Sequence, residues 1–159
     1  MKKILALDLG RKTGWSHSDG PSGVWDFKIR RDESAGMRLV RLLAKLREVK
    51  KSLGVELVVF EGVRFSDPKR RGASLVLAEM VGVVKTWCEK NGIDYRGYSP
   101  TEIKRHAIPG KGKRDKGAML EAARERWPEV EFVDDNHADS RWLLDLIQTE
   151  LGEINEQAC

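Results

Sequence analysis

Residues 2–15 read KKILALDLGRKTGW, and the rest of the predicted fold is built around this stretch. The run from Ile4 to Leu7 is short and wholly apolar, which is typical of a strand buried on both faces. Asp8 follows directly, and Gly10 and Gly14 then turn the chain round. An isolated buried carboxylate is costly unless it is paired, hydrogen-bonded or bound to a metal. Asp8 is therefore either a metal ligand at the end of a central strand or a turn residue that hydrogen-bonds its own backbone.

The composition is that of one soluble domain. The chain has 159 residues, of which 40% are hydrophobic, and a chain of this length buries roughly two-thirds of its unfolded surface. No apolar run approaches the roughly 20 residues of a membrane span. Cys88 and Cys159 are too few and too far apart for a disulfide framework or a zinc site, which fits a reducing compartment. We expect a single domain over residues 1–159, located in the cytoplasm.

The net charge of +4 conceals an uneven distribution of charge. From Asp145 to the C-terminus there are four acidic residues and no Lys or Arg, whereas residues 104–116 include six basic residues and one acid. Excess positive charge in one loop favours a polyanionic partner, most simply nucleic acid. The alternative is a loop that is merely solvated.

The pattern of apolar residues predicts an α/β domain. After the first strand, residues 14–18 and 23–28 carry apolar or aromatic side chains near period two, and residues 19–22 supply a turn, so the chain opens with an antiparallel meander. Two further strands are predicted at residues 55–60 and 93–98. Helices are predicted at residues 34–53, 72–89, 99–108, 115–126 and 137–151. Together these elements give a mixed five-stranded sheet, an antiparallel meander plus parallel strands, flanked by helices.

Four carboxylates are candidates for one site. Glu61, like Asp8, follows a buried-type strand, and Asp135 and Asp139 are four residues apart and share one face of the last helix. Bringing four carboxylates within about 4–6 Å costs on the order of 4 kcal/mol per pair at an effective dielectric constant of 20. Oxygen-rich sites select Mg²⁺ or Mn²⁺, and two ions about 4 Å apart can clamp the attacking and leaving oxygens of a phosphodiester. If the four side chains converge, a metal centre is the simplest explanation.

Five short motifs occur in an order that spans nearly the whole chain. They are LDLG with TG (residues 7–10 and 13–14), VFE (59–61), YSPTEIK (98–104), GKRDK (112–116) and DDNHAD (134–139). In this ordered set the chain resembles Holliday junction resolvases of the RuvC family, particularly the shorter phage and poxvirus-type members. The resemblance implies a ribonuclease H-like fold and a homodimer that binds four-way DNA junctions. It also implies paired, symmetrical nicks made with Mg²⁺ or Mn²⁺, no small-molecule cofactor, and the host cytoplasm as the location if the source is viral.

The resemblance assigns the metal ligands residue by residue. Asp8 and Glu61 match the first two ligands of the family, and Asp139 matches the last. Many family members place the penultimate acid three residues before the last, where this chain has Asn136. Asp135, one residue earlier, matches the arrangement of the shorter relatives, so we expect Asp135 as the fourth ligand and keep Asn136 as the alternative. A helix-capping role for Asp135 would not exclude ligation.

The resemblance also suggests which residues contact DNA. Lys104 and Lys116 match basic positions near the scissile phosphate, where a cation would stabilise charge that develops on the transferred phosphoryl group. Three residues of the basic loop are expected to neutralise backbone phosphates: Lys111, Lys113 and Arg114. The stretch after Glu61 reaches the junction centre in the family, and its candidates here are Arg64, Phe65, Arg70 and Arg71. Phe65 either stacks on an unpaired base or packs in the protein.

Several alternatives remain open at this stage. The chain is either a junction resolvase, a nuclease of the same fold that cuts flaps and other branched DNA, or a junction-binding protein with impaired catalysis. His137 is a candidate to assist the chemistry beside Asp139, although no His has a second His or Cys at zinc-binding spacing. The helix at residues 72–89 is rich in small residues and is our candidate for the dimer interface.

Overall fold

The computed structural model describes residues 1–63, Lys69 and residues 71–157, with side chains described up to residue 152. The described residues form five strands and five helices. In chain order these are β1 (Ile4–Asp8), β2 (Lys12–His17), β3 (Ser22–Asp26), α1 (Gly36–Leu53), β4 (Leu57–Glu61), α2 (Arg71–Asn91), β5 (Asp94–Tyr98), α3 (Pro100–Ala107), α4 (Lys116–Arg126) and α5 (Asp135–Gln157).

The five strands form one mixed sheet in the order β3-β2-β1-β4-β5. The strands β1, β2 and β3 pair antiparallel, whereas β1 pairs parallel with β4 and β4 pairs parallel with β5. The predicted α/β class, the opening meander and the parallel additions are therefore confirmed. Within the described residues, no helix is both long enough and apolar enough to cross a membrane.

Helices cover both faces of the sheet, which explains why β1 and β4 are apolar up to their last residues, Asp8 and Glu61. Ile4 and Ala6 of β1 belong to a core with residues of α3, α4 and α5. Leu5 and Leu7, which point to the opposite face, belong to a second core with residues of α1 and α2. Asp8 is the first residue of β1 that is not fully buried, so the charged side chain lies where the strand leaves the two cores.

The predicted capping box at the start of α3 is confirmed. Ser99 caps α3 through a capping box, in which its hydroxyl accepts from the Glu102 N–H at 3.2 Å and the Glu102 carboxylate accepts from the Ser99 N–H at 2.7 Å. The start of α5 differs from the prediction, since the helix begins at Asp135 rather than at residue 137. The reason is that Asp134 is the capping residue, with its carboxylate 2.9 Å from the His137 N–H.

The start of α5 lies directly on the backbone of β2. A Cβ atom built on Gly14 would lie 1.8 Å from the carbonyl oxygen of Asn136. Two residues further along β2, the hydroxyls of Ser16 and Ser140 are 2.8 Å apart, and Ser140 donates its proton to the His137 carbonyl, which makes Ser16 the donor between the two hydroxyls. Because Gly14 pairs with Asp8 in the sheet, this contact brings the start of α5 next to the end of β1.

We predict that Gly14→Ala destabilises the protein by about 2 kcal/mol or more, because the new methyl group must displace either β2 or the start of α5. Gly82→Ala is the matched control, since Gly82 lies inside α2 with nothing within 4 Å of an added Cβ and the same change there stabilises a helix by about 0.5–1 kcal/mol. Urea unfolding of both variants measures the difference. Equal stability of the two variants would contradict the close approach of α5 to β2.

Candidate active site

Carboxylates from three elements meet at one edge of the sheet. Asp8 ends β1 and Glu61 ends β4, and because these strands are parallel neighbours, their last residues lie at the same edge. Asp139, on the second turn of α5, reaches the same place from above the sheet. All three line a cleft of about 820 Å³.

The carboxylates lie within one another's electrostatic field. Burial raises the pKa of Asp8 well above its ordinary value, and the charges of Asp139 and Glu61 raise it further. Burial also raises the pKa of Asp139, to about 7, with Glu61 and Asp135 as the next largest causes. Each of the four acids singled out in the sequence therefore affects at least one of the others. The structure places Asp8, Glu61 and Asp139 in one cleft and Asp135 within reach of their charges, and their assignment as metal ligands stays a prediction.

The arrangement leaves one carboxylate oxygen unsatisfied. Oδ1 of Asp139 is buried and has no hydrogen-bond partner among the residues that the structure describes, and such a group normally requires a partner. The nearby donors are carboxylate oxygens, which suit a hard divalent cation such as Mg²⁺ or Mn²⁺. In the described part of the chain, no three His, Cys, Asp or Glu side chains are already arranged to hold a metal ion. The donor chemistry fits such an ion, and binding it would require the carboxylates to draw closer together.

The two lysines assigned to the scissile phosphate, Lys104 and Lys116, both line the cleft. Lys116 Nζ lies 3.2 Å from Asp135 Oδ2, and this contact raises the pKa of the lysine. Lys116 occupies the first position of α4, where the Asp115 side chain caps the helix by accepting from the Ala118 N–H at 2.8 Å. Lys104 lines the cleft from α3, and its positive charge counteracts a small part of the rise in the pKa of Asp139. Positive charge is thus already placed beside the acids.

Asp135 and Asn136 both lie at the start of α5 but in different surroundings. Asp135 forms the ion pair with Lys116, whereas Asn136 lines the cleft and its amide donates to Asp134 Oδ2 at 3.4 Å. Because Asp134 caps the helix, capping does not occupy the Asp135 carboxylate. The assignment of the fourth ligand to Asp135 therefore stays a prediction.

The predicted DNA-contacting residues fall into three groups. Lys111 and Lys113 are exposed in the loop between α3 and α4, and Arg71 is exposed at the first position of α2. Arg114 closes the loop, because its Nε donates to the Ile108 carbonyl at 2.8 Å and its guanidinium also donates to the Gly110 carbonyl. The remaining predicted residues lie outside the described residues: Arg64, Phe65 and Arg70.

His137 has a structural role rather than the catalytic one considered above. Its Nδ1 accepts from the Val133 N–H at 3.2 Å, so Nε2 carries the proton and donates it to the Ser22 hydroxyl at 2.8 Å. Burial lowers the pKa of the imidazole. Nε2 thus links the start of α5 to β3, and Nδ1 holds the segment that leads into α5, so both ring nitrogens have structural partners.

Two cleft residues were missed by the sequence analysis. Arg11 and Lys12 line the cleft from the turn between β1 and β2. The sequence does contain a signal for them, because two adjacent cations directly follow the turn that begins at the candidate ligand Asp8. Two adjacent cations are a weaker charge signal than the longer basic run at residues 104–116.

Comparison with solved structures identifies the fold. RuvC of Thermus thermophilus, in a structure described as a complex with Holliday junction substrate, superposes with a TM-score of 0.68 and 19% sequence identity over 90% of each chain. A second structure of Thermus thermophilus RuvC gives 0.63 and 18% identity over 89% of this chain and 90% of that one. The yeast mitochondrial Holliday junction resolvase Ydc2 gives 0.57 and 13% identity over 89% of this chain and 75% of that one.

These neighbours place the chain in the RuvC-type, ribonuclease H-like fold predicted from the sequence. At identities below 20% the similarity concerns the fold. No family model matches the sequence, and no curated protein matches it significantly.

We predict that Asp139→Asn stabilises the metal-free protein at pH 8, because it removes a buried charge whose pKa is raised to about 7. An ionised carboxylate with a raised pKa opposes folding at pH values above that pKa, and the penalty shrinks as the folded protein takes up a proton at lower pH. The melting temperature should therefore rise by roughly 5 °C or more at pH 8 and by less at pH 5.

Asp32→Asn is the control, since Asp32 is exposed and should show little change at either pH. Thermal melts in the presence of a chelator make the measurement. If Asp139→Asn melts below the unmodified protein at pH 8, the carboxylate is stabilised in a way that the described contacts do not account for.

Proposed function

We propose that this chain is a structure-selective endodeoxyribonuclease that resolves four-way DNA junctions, as a member of the RuvC family. The observation that carries the proposal is the meeting of Asp8, Glu61 and Asp139 at one cleft lined also by Lys104 and Lys116, with Asp135 near enough to raise the pKa values of Asp8 and Asp139. The fold supports it, because a neighbour with this fold was solved with a Holliday junction substrate. The ordered motifs described above support it independently of the coordinates.

The four carboxylates would hold two Mg²⁺ or Mn²⁺ ions. When bound, such ions offset the repulsion between the acids and supply the Lewis acidity that phosphodiester hydrolysis needs. The buried Oδ1 of Asp139, which has no hydrogen-bond partner among the described residues, would be available as an acceptor for such an ion. Asp8, at the end of a rigid central strand, fixes the position of the site relative to the sheet.

The two lysines would bind the reacting phosphate, and Lys104 would also contact the neighbouring phosphate on its own side. Lys104 and Lys116 project toward the acids from different helices, α3 and α4, so they can approach a phosphoryl group from different directions. Fixed cations at the position where negative charge develops stabilise the transition state. In this proposal Lys116 would release Asp135 and contact the substrate phosphate instead.

The basic loop between α3 and α4 would bind the DNA backbone. The side chains of Lys111 and Lys113 are exposed, and contacts from lysine to phosphates do not distinguish one base sequence from another. Contacts of this kind neutralise phosphates and give an affinity that falls as salt rises.

Paired cuts require two active sites, and this chain provides one, so we propose a homodimer. The supporting observation is apolar surface on α2, where Leu75 is 53% exposed. A groove of about 930 Å³ between α1 and α2 is lined by further apolar side chains, including Leu43 and Val83. A monomer at micromolar concentration with junction DNA present would remove the basis for paired incision.

One alternative has a specific observation in its favour. Asn136, rather than a fourth acid, lines the cleft, and Asp135 is already paired with a lysine. A protein of this fold with an incomplete ligand set would bind junctions without cutting them. Relative cleavage of a junction, a flap and a linear duplex in Mg²⁺ or Mn²⁺ separates the resolvase from this alternative and from a broader branched-DNA nuclease.

We predict that Asp8→Asn abolishes nicking of a four-way junction while junction binding stays as strong or becomes stronger. The substitution keeps the size of the side chain but removes a metal-binding charge and a source of repulsion toward DNA phosphates. A gel assay of nicked products and an electrophoretic mobility shift measure the two properties. Turnover that survives this substitution would contradict the proposed chemistry.

A paired substitution tests the fourth ligand. We predict that Asp135→Asn lowers the cleavage rate at saturating metal by about 100-fold or more, because loss of a metal ligand costs at least as much as loss of a residue supporting one. Asn136→Ala, next to it on the same turn, should lower the rate much less. The opposite ranking would assign the ligand to Asn136.

A further inference from the structure

The cleft has a second basic side that neither the motifs nor the proposed chemistry uses. Arg11 ends the turn between β1 and β2, Lys12 is the first residue of β2, and both line the same cleft as the carboxylates. Both side chains are exposed. Among the described residues, neither has an ion pair or hydrogen bond from its side chain.

The turn that carries them is held in a fixed shape. The Thr13 hydroxyl donates to the Gly10 carbonyl at 2.8 Å and lies 3.3 Å from the Gly10 N–H, so a buried side chain closes the turn from inside. From outside, the Phe27 N–H donates to the Arg11 carbonyl at 2.8 Å. Two exposed cations on a turn fastened at both sides form a pre-organised binding surface, because little backbone freedom is left to lose when a ligand binds.

The sheet order places these cations opposite Lys104. In the order β3-β2-β1-β4-β5, the turn lies on the β2 side of Asp8, whereas α3 follows β5 on the far side of Glu61. The carboxylates at the ends of β1 and β4 therefore lie between two basic sides. A DNA strand whose phosphate reaches the carboxylates must continue in both directions, and its next phosphates on either side need countercharge.

We propose that Arg11 and Lys12 bind the backbone phosphates of the cleaved strand on the side of the cut opposite to the side bound by Lys104. This inference rests on the proposed nuclease function. Under it, the strand lies across the carboxylates and is held at both ends, which fixes the scissile phosphate between them.

The first test measures junction binding in an Asp8→Asn background, so that no cleavage occurs. Arg11→Ala combined with Lys12→Ala should weaken binding of a fluorescent four-way junction by roughly tenfold or more at about 0.1 M salt, and should lower the salt slope of log K by about 1.8, or 0.9 per phosphate contact. Fluorescence anisotropy over a series of salt concentrations gives both values.

The matched control is Arg124→Ala combined with Arg126→Ala, which also removes two exposed cations close together in the chain. These residues lie in the last turn of α4, at the other end of that helix from Lys116. The control should leave the affinity and the slope nearly unchanged. Melting temperatures of both double variants confirm that each is folded.

The second test locates the contacts by ethylation interference. Without the two substitutions, ethylated phosphates on both sides of the cut should weaken binding. In the Arg11→Ala/Lys12→Ala variant the interference on one side should disappear, and in Lys104→Ala the interference on the other side should disappear.

The outcomes separate this inference from the proposed function. If Lys104→Ala weakens junction binding and the Arg11→Ala/Lys12→Ala variant does not, the inference is wrong and the proposed function stands. A weaker affinity with an unchanged slope, or loss of interference on the same side in both variants, also overturns the inference. If the unmodified chain neither binds nor nicks the junction, both fail.

Discussion

The contact between the backbone of Gly14 and the start of α5 is the constraint on which the site depends. Because Gly14 has no side chain, the Asn136 carbonyl comes closer to β2 than any Cβ would permit, and the hydroxyls of Ser16 and Ser140 continue the close packing one turn later. Gly14 pairs with Asp8 across the sheet. The separation between Asp8 and Asp139 is therefore set by backbone packing, which is far stiffer than any side-chain arrangement.

That stiffness explains how the fold can hold acids together against their repulsion. Burial and like charges raise the pKa values of Asp8 and Asp139, which means that the folded protein would gain stability if these groups were neutral. The sheet edge nevertheless keeps them in place, and Lys116 offsets part of the repulsion through Asp135. A site that costs stability in the absence of a ligand is typical of function, because packing alone would select apolar side chains at these positions.

The sequence predicted the parts of the structure that local patterns determine. Apolar runs that end in an acid located β1 and β4 together with Asp8 and Glu61, and the capping box located the start of α3 at Ser99. The role of His137 was not predictable, since its partner Ser22 is 115 residues away along the chain and no local pattern links them. The part played by Arg11 and Lys12 also required the sheet order, because only the arrangement of β2 and β5 around the acids shows that the cleft has two basic sides. Features set by neighbouring residues can thus be predicted from the sequence, whereas contacts between residues distant in the chain require the structure.

The proposed arrangement also limits where selectivity for branched DNA can arise. The side chains that flank the acids, Lys104, Lys116, Arg11 and Lys12, are cations suited to phosphates, and phosphate contacts position DNA without reading its sequence. A single cleft of this kind would accept a suitably bent strand from many substrates. If the proposed nuclease prefers four-way junctions, the preference would come from the relation between the two clefts of the proposed dimer, because a junction presents two equivalent strands at a fixed separation and angle. Selectivity for junctions would then depend on dimer formation. A folded but monomeric variant would still cut nicked or flapped DNA, but it would no longer prefer junctions.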